Sequence, residues 1–449
     1  MDALYSPVSH PYVSPREDKL PMTELRAWQT DALARWHANG RRGIIAAATG
    51  TGKTRMAIEA IRLALDDGAR AVVVVPTRVL QQQWIRALRT AGIVGRRLGT
   101  IGGTSPDPNP DHLILVAVID SARNGVGSLF RHWTSSGRPT LLVVDECHWS
   151  GSAHNRGVFD GDPAWRLGLS ATPERGDDGF DDVLVPMLGE VVYRYSMRNA
   201  MDDGVLSDLR LSNLLIDLPQ LEQSEYDRIE AQITASAATL TRQHPELFTS
   251  ADWTAHIAQA ASTIPAAKRL NSLVVERRRL LANNNGRLRA MEYLLDLGVL
   301  TSRRTILFNE TINQAEHVAQ KVRELGIKVS IDHSRLNSRE RDQNQEAFRA
   351  GATDAMVAVR TADEGLDIPD ADQAIIVSGT MNPRQRIQRL GRVVRLGGTP
   401  PRAISLLARG TLEESVIAGR DRELLGLDRV IIKPLSAFRD DSVDFLFSV

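Results

Sequence analysis

"GIIAAATGTGKTRMAIEAIRLALDDG", residues 43–68, passes from an apolar run through a glycine-rich turn into a segment with apolar residues at helical spacing. A strand, a loop carrying G-K-T and a helix in direct succession form the context of a phosphate-binding loop. Glycines permit the tight turn, and successive backbone N–H groups at a helix N-terminus face an anion. In that arrangement Lys53 reaches the β- and γ-phosphates of a nucleotide and Thr54 ligates Mg²⁺. Ala47 stands where the plain pattern G-x-x-x-x-G-K-[ST] has its first glycine.

A phosphate loop needs a second strand ending in carboxylates, one to hold Mg²⁺ and one to orient or deprotonate the attacking water. "LLVVDECHWSG" (141–151) supplies it: four apolar residues end in Asp145, the expected metal ligand, and Glu146, the expected base. Cys147 is the one cysteine of the chain and has no evident catalytic partner, so it reads as a packed thiol.

Around these two stretches the chain alternates apolar strand runs with helical patterns. "AVVVVP" (71–76), "HLILVAV" (112–118) and "WRLGLSAT" (165–172) belong to a first group. "RTILFN" (304–309), "KVSIDH" (328–333), "DAMVAV" (354–359), "QAIIVS" (373–378) and "RAISLLA" (402–408) form a second. Such alternation predicts parallel sheets covered by helices on both faces. Residues 219–297 show helical periodicity without a convincing strand. The expected division is an N-terminal tail over 1–22, a first α/β domain over 23–216 and a helical connector over 217–300. A second α/β domain follows over 301–430, with a C-terminal tail over 431–449.

Of the 449 residues, 42% are hydrophobic and 24% charged, a globular composition, and the 55 Lys+Arg balance the 55 Asp+Glu. Whole-chain charge therefore gives no argument for a nucleic-acid or membrane partner. A single cysteine allows no internal disulfide, and no apolar stretch approaches the ~18 residues that span a bilayer. The N-terminus lacks a signal-peptide core, and a cytoplasmic location is expected.

The separated motifs together resemble those of the superfamily 2 helicases. "AAATGTGKT" (46–54) is similar to motif I, in which alanine commonly replaces the first glycine, and "VVVVPTRVLQQQW" (72–84) to motif Ia. "VVDECH" resembles motif II, "GLSATPER" (168–175) motif III and "TILFNETINQAEHV" motif IV. "VRTADEGLDIP" (359–369) resembles motif V, and "QRIQRLGRVVR" (385–395) carries the Q-x-x-G-R-x-x-R of motif VI. "LRAWQTDAL" (25–33) resembles the adenine-reading glutamine segment. The DECH form of motif II, "EGLDIP", and the ending "RAISLLARGTLEESV" are closest to the XPB-like and type I/III restriction-motor branch.

The resemblance implies two RecA-like parallel-sheet domains in tandem, with ATP and Mg²⁺ in the cleft between them. Gln29 would read the adenine edge with Arg26 packed nearby, and Thr49, Gly50, Thr51, Gly52, Lys53 and Thr54 would hold the phosphates. Gly365 and Asp367 would line the nucleotide, Gln388 would orient water or phosphate, and Arg392 and Arg395 would reach the γ-phosphate from the second domain. Ser170, Ala171 and Thr172, with His148 across the cleft, would couple hydrolysis to movement. Thr77, Arg78, Asn309 and Thr361 would contact nucleic-acid backbone.

The function so implied is an ATP-dependent helicase or translocase on duplex DNA, in repair or recombination or as the motor of an anti-phage or restriction system. The alternative is a nucleic-acid-stimulated ATPase that remodels complexes or gates a partner without strand separation, on DNA or RNA. No nuclease or targeting domain is recognisable, so a protein partner is expected to supply either. Motif V departs from the family at Arg360, where a small or aliphatic residue is usual. Arg384, Arg386 and Arg389 are left open between salt bridges and support. The arginines of "ERRRLLANNNGRLR" (276–289) are open between nucleic-acid contact and an exposed paired helix. Trp84, Trp149 and Trp165 stack on bases or pack. The last nine residues dock a partner or add a strand.

Overall fold

The computed structural model describes residues 24–103, 109, 111–175, 177–249, 253–301, 303–359, 371–378, 383–391, 393, 400–437 and 443–447. The apolar runs form two sheets in which every pairing is parallel. The first comprises β1 (Arg42–Ala47), β2 (Arg70–Val75), β3 (Leu98–Ile101), β4 (Ile114–Val118), β5 (Thr140–Asp145), β6 (Trp165–Ser170) and β7 (Val191–Tyr195). The second comprises β8 (Arg210–Ile216), β9 (Thr305–Asn309), β10 (Val329–Asp332), β11 (Ala355–Val359), β12 (Gln373–Ile376), β13 (Arg402–Ala408) and β14 (Val430–Pro434).

Spatial order is β3-β4-β2-β5-β6-β1-β7 in the first sheet and β10-β11-β9-β12-β13-β8-β14 in the second. The second order is the first with every strand number raised by seven, so the two halves share one topology and β8 is the counterpart of β1. Helices on both faces leave β4 apolar throughout and β2 and β5 apolar in all but their terminal residues.

This arrangement corrects the expected boundaries. Residues 210–216 were expected in the first domain, yet they form β8, between β13 and β14 of the second sheet. The helical segment is thus an insertion inside the second unit, between its first and second strands. β8 escapes a hydropathy reading because Ser212 and Asn213 interrupt its apolar run. Both are fully buried, and the Asn213 amide is hydrogen-bonded, donating to Asp421 Oδ2 at 2.8 Å and accepting from Arg386. β14 and the turn at Val443–Phe447 likewise extend the second unit past residue 430: Leu446 and Phe447 are buried in its core. The last described residues pack as a helical turn under the Arg402 guanidinium rather than as a strand.

Within the insertion, helices Gln220–Gln243, Trp253–Ala260 and Pro265–Asn283 enclose a small core of their own around Ile229, Ile233, Ile257 and Leu270. The next helix, Asn285–Asp296, lays Met291 and Leu294 on the second sheet. Its anchor is Arg287, which has no exposed surface and donates to the carbonyls of Leu281 at 2.7 Å, Val377 at 2.7 Å and Leu406 at 2.5 Å. Its remaining charge is met by Glu413, which is also buried and accepts from the Ala408 N–H at 2.9 Å.

Among the described residues no helix is long and apolar enough to cross a membrane.

Removing one partner of a buried ion pair strands the other charge in a low-dielectric interior, at a cost of about 3–5 kcal/mol. Glu413→Ala should therefore lose stability of that order in chemical denaturation followed by circular dichroism. A loss below about 1 kcal/mol, the size of an exposed pair, would show that Arg287 does not need it.

Candidate functional site

Parallel strands release all their following loops at one edge, so the register decides which loops meet. Ile45 of β1 and Asp145 of β5 both pair with Leu169 of the intervening β6. The phosphate loop, the acid pair and the Ser170–Thr172 segment therefore leave the sheet at one level, with neighbouring strands ~4.8 Å apart.

The loop after β1 depends on glycine where the backbone is left-handed: Gly50 has φ 84° and Gly52 φ 101°. Gly52 caps the helix Lys53–Asp66, and a Cβ there would lie 2.8 Å from Gln29 Nε2. Lys53 folds back and donates to the carbonyls of Ala47 at 2.8 Å and Ala48 at 3.3 Å, and the Thr51 hydroxyl donates to Ala48 at 2.8 Å. Arg26 Nη1 donates to the Thr51 carbonyl at 2.7 Å, and Gln29 Nε2 to the Gly52 carbonyl at 2.9 Å. Gln29 Oε1 accepts from the Arg26 N–H at 2.9 Å, so both ends of its buried amide are used. The helix carrying Arg26 and Gln29 is thus tied to the loop backbone. Thr49 and Thr54 are half-buried at the two ends of the loop.

Asp145 closes β5 as a buried carboxylate. Its Oδ2 accepts from the Trp84 indole N–H at 2.7 Å and its Oδ1 from the Glu146 N–H at 3.0 Å. Burial pushes the carboxyl above the usual carboxylate range, opposed by the Trp84 N–H, the Lys53 ammonium and the Glu146 N–H. Glu146 takes a left-handed conformation, φ 47° and ψ 51°, without being glycine. Strain of this kind concentrates where a side chain must be aimed. Behind the acids, Cys147 is a buried thiol in the apolar core, as expected.

His148 is buried, with Nδ1 3.1 Å from Ser170 Oγ and 3.5 Å from Glu146 Oε2. Ser170 Oγ in turn accepts from the Thr172 N–H at 3.1 Å. Glu146, His148, Ser170 and Thr172 therefore form one polar chain along the strand ends, past Ala171. Arg175 fixes the His148 backbone within it by donating to the His148 carbonyl, and grips both oxygens of Asp177 at 2.6 Å, which holds the Asp177 carboxyl below its usual range.

From the second domain, helix Pro383–Leu390 carries Gln388, which is half-buried. The helix ends at Gly391, where a Cβ would stand 2.9 Å from Thr49 Cβ of the phosphate loop. Arg386 and Arg389 are supports. Arg386 is buried and grips Asp421 at 2.5 and 2.6 Å, and Arg389 donates to the Ser378 carbonyl at 3.3 Å beneath the Phe308 ring. Arg392, Arg395, Arg360, Thr361, Gly365 and Asp367 lie outside the described residues.

Of the backbone-contact candidates, Arg78 is exposed and Thr77 caps the helix Arg78–Thr90, accepting from the Leu80 N–H at 3.3 Å. Asn309 does not fit that role. It is fully buried, and its amide donates to the Leu307 carbonyl at 3.2 Å, inside the strand end rather than on the surface.

In the insertion, Arg277 pairs with Glu230 at 2.8 Å, Arg278 with Glu310 and Arg287 with Glu413, while Arg279 and Arg289 are exposed. The basic run is mostly anchorage. Trp84 is buried rather than free to stack, Trp149 packs in the first core, and Trp165 lies under the Arg41 guanidinium at 4.2 Å. Sequence reasoning missed the Trp84–Asp145 bond and the pair Gly102–Gly103 after β3, left-handed at φ 70° and 85°. The doubled glycine was the available signal for the second.

Residues 22–175 match the family model described as type III restriction enzyme, res subunit, and residues 287–397 that of the helicase conserved C-terminal domain. The chain is 26% identical over 400 residues to the DNA 3'-5' translocase XPB2 of Sulfurisphaera tokodaii, covering 87% of this chain and 83% of the relative. It is 27% identical over 409 residues to the putative DNA 3'-5' helicase Rad25 of Halobacterium salinarum, covering 89% of this chain and 57% of that one. The DNA 3'-5' helicase XPB of Mycobacterium tuberculosis is 24% identical over 408 residues, at 89% and 64% coverage. The chain thus spans little more than half the length of several relatives. In fold it is similar to the Hef helicase domain of Pyrococcus furiosus, with TM-score 0.55, 17% identity and coverage of 88% and 98%. It is also similar to Dbp5 of S. cerevisiae bound to RNA and ADP BeF3, with TM-score 0.57, 16% identity and coverage of 91% and 89%.

The crowding at Gly52 separates two effects of an added methyl group. Gly52→Ala meets both a left-handed backbone and the Gln29 amide, whereas Gly68, at φ 77°, has nothing within 4 Å of its Cβ. Both alanine variants should lose about 1–2 kcal/mol of stability. Only Gly52→Ala should weaken ATP binding at least tenfold in isothermal titration; equal affinities would show that the loop tolerates the clash.

Proposed function

Since the chain belongs to the superfamily 2 helicases of the XPB and restriction-motor type, an ATP-hydrolysing family, we propose that it couples Mg²⁺-dependent ATP hydrolysis to movement along duplex DNA. One observation carries this reading. The phosphate loop, the acid pair and the Ser170–Thr172 segment leave the first sheet at one level, and the second domain's helix end at Gly391 abuts that loop.

The chemistry follows from the side chains. Lys53 exchanges the carbonyls of Ala47 and Ala48 for phosphate oxygens when nucleotide enters. Thr54 and Asp145 would hold Mg²⁺, whose charge, when bound, offsets that of the phosphates. Among the described residues no group of three or more His, Cys, Asp or Glu could form a metal cage. The donor set suits Mg²⁺, which takes one or two carboxylates and otherwise uses phosphates and water. Glu146, aimed by its left-handed backbone, accepts the proton of the attacking water. Gln388 orients that water or the phosphate, and Arg392 and Arg395 bring guanidinium charge to the γ-phosphate from the second domain. Hydrolysis then depends on how the domains meet. The chain Glu146–His148–Ser170–Thr172 passes a change at the base to the loop after β6.

Duplex DNA is preferred to RNA because the three relatives described above are named for DNA, and the first domain matches a restriction-enzyme subunit. Contact through phosphates at Thr77, Arg78 and Thr361 suits a motor indifferent to sequence. The settings that fit are DNA repair or recombination, and the motor of an anti-phage or restriction system with a partner supplying target choice or nuclease activity. A cytoplasmic location accords with either setting.

ATP turnover measured with duplex DNA, single-stranded DNA and RNA, beside strand displacement, tests the substrate. Stimulation by duplex DNA is expected, and stimulation by RNA alone would overturn the reading. Glu146→Gln should bind ATP yet turn over at least ~100-fold more slowly, the scale of a lost general base. Undiminished turnover would remove Glu146 from that role.

A further inference from the structure

The helix Arg78–Thr90 starts at the candidate nucleic-acid contacts and then presents two buried polar side chains to the sheet, three residues apart and so on one face. The first is Gln81. Its Nε2 donates to the carbonyls of Ile101 at 3.2 Å, Gly102 at 3.4 Å and Val116 at 2.8 Å, which grips the end of β3, the middle of β4 and the double-glycine turn. A Cβ on Gly103 would come within 2.1 Å of Gln81 Oε1, so this turn is moulded onto the glutamine. The second is Trp84, 1% exposed, whose indole N–H meets Asp145 Oδ2 at 2.7 Å.

Packing alone does not explain a tryptophan at position 84. Leucine or phenylalanine would fill an apolar site without bringing a polar N–H into the core. Here the N–H is used, and its partner is the carboxylate assigned to the metal. With Oδ1 taken by the Glu146 N–H and Oδ2 by Trp84, both oxygens of Asp145 are fixed in direction before any ion arrives. Lone pairs remain free because each carboxylate oxygen accepts more than one bond. A fixed donor on the outer side of a metal ligand orients that ligand, as outer-shell partners of metal sites do.

We infer that Trp84 is a positioning residue for Asp145. Its helix is the rigid member by which nucleic acid at Thr77 and Arg78 is felt at the metal-holding carboxylate. This inference rests on the assignment of Asp145 to Mg²⁺ made above. A shift of the helix along its axis moves both grips together, since Gln81 and Trp84 belong to one element. The base-stacking alternative for Trp84 is closed by its burial.

The test uses the full chain labelled with ¹⁵N at the tryptophan indoles. The Trp84 resonance is assigned from Trp84→Phe or, should that variant fail to fold, by elimination with phenylalanine at each of the other tryptophans. The Trp84 signal should move on adding Mg²⁺ with ADP, and move again on adding duplex DNA; a signal indifferent to both overturns the inference. In Trp84→Phe, which keeps the ring and loses the donor, the Mg²⁺ concentration that half-saturates binding of a fluorescent ADP analogue should rise about tenfold, the scale of a hydrogen bond to a charged group. Affinity for the analogue in EDTA should not change. An unaltered Mg²⁺ midpoint in a folded Trp84→Phe chain also overturns the inference. Lys53→Ala is the control for the site itself: a wild-type chain that binds no more ADP than Lys53→Ala would defeat the nucleotide-site assignment, a result distinct from an unmoved Trp84.

Discussion

Parallel pairing is the constraint from which the rest follows. When every strand of a sheet runs the same way, all loops that follow strands emerge at one edge, and chemistry can be assembled there from segments far apart in sequence. The first sheet uses this to bring residues near 50, 146 and 171 to one level, through a register that sets Ile45 and Asp145 opposite the same Leu169. The cost is that both faces of the sheet must be covered and that polar groups at strand ends sit close to the core. Asp145 shows how this is managed: a buried carboxylate is tolerable when fed by an indole N–H, a backbone N–H and a nearby ammonium.

Much of this was legible in the chain, for definite reasons. The phosphate loop is local: strand, turn and helix adjoin, and glycine is required at Gly50 and Gly52 by their left-handed backbone. Ala47 is a tolerable departure because it is the last residue of β1, with strand geometry and a carbonyl that accepts from Lys53, so its methyl group meets no backbone restriction. The central strands were legible because burial on two faces makes them apolar along most of their length. What escaped reading depends on partners distant in sequence. β8 carries Ser212 and Asn213, and the Asn213 amide is satisfied only by Arg386 and Asp421, about 170 and 210 residues away. The Trp84–Asp145 bond spans 61 residues, and no periodicity announces it. Asn309 was misassigned because a polar residue at a strand end resembles a surface contact, while its burial is decided by neighbours.

The two domains solve the same topology with different interiors. In the first, Thr51, Lys53, Asp145, His148 and Ser170 are buried at the loop edge, where the proposed chemistry lies. The second adds charged residues buried within its frame: Arg386 with Asp421, and Arg287 with Glu413. Such pairs contribute little net stability compared with apolar packing, yet each accepts few alternative geometries. Arg287 fixes the helix Asn285–Asp296 against the carboxyl ends of β12 and β13, and Arg386 fixes helix Pro383–Leu390 against β8. The helix that ends at the phosphate loop is thereby held to the strand from which the insertion departs.

The shared strand order carries a further consequence. Because β8 is the counterpart of β1, the segment after β8 occupies the slot that, in the first domain, holds the phosphate loop and its helix. The second domain fills that slot with three helices that have a core of their own and return to the sheet at Tyr226 and Leu281, which pack on Ala408 of β13, and at Arg287. Of two halves with one strand order, the first thus follows its leading strand with a glycine-rich loop and the second follows its own with an outrigger. Its length and surface can change through evolution with little strain on either sheet, as loop-closure entropy grows only slowly with inserted length.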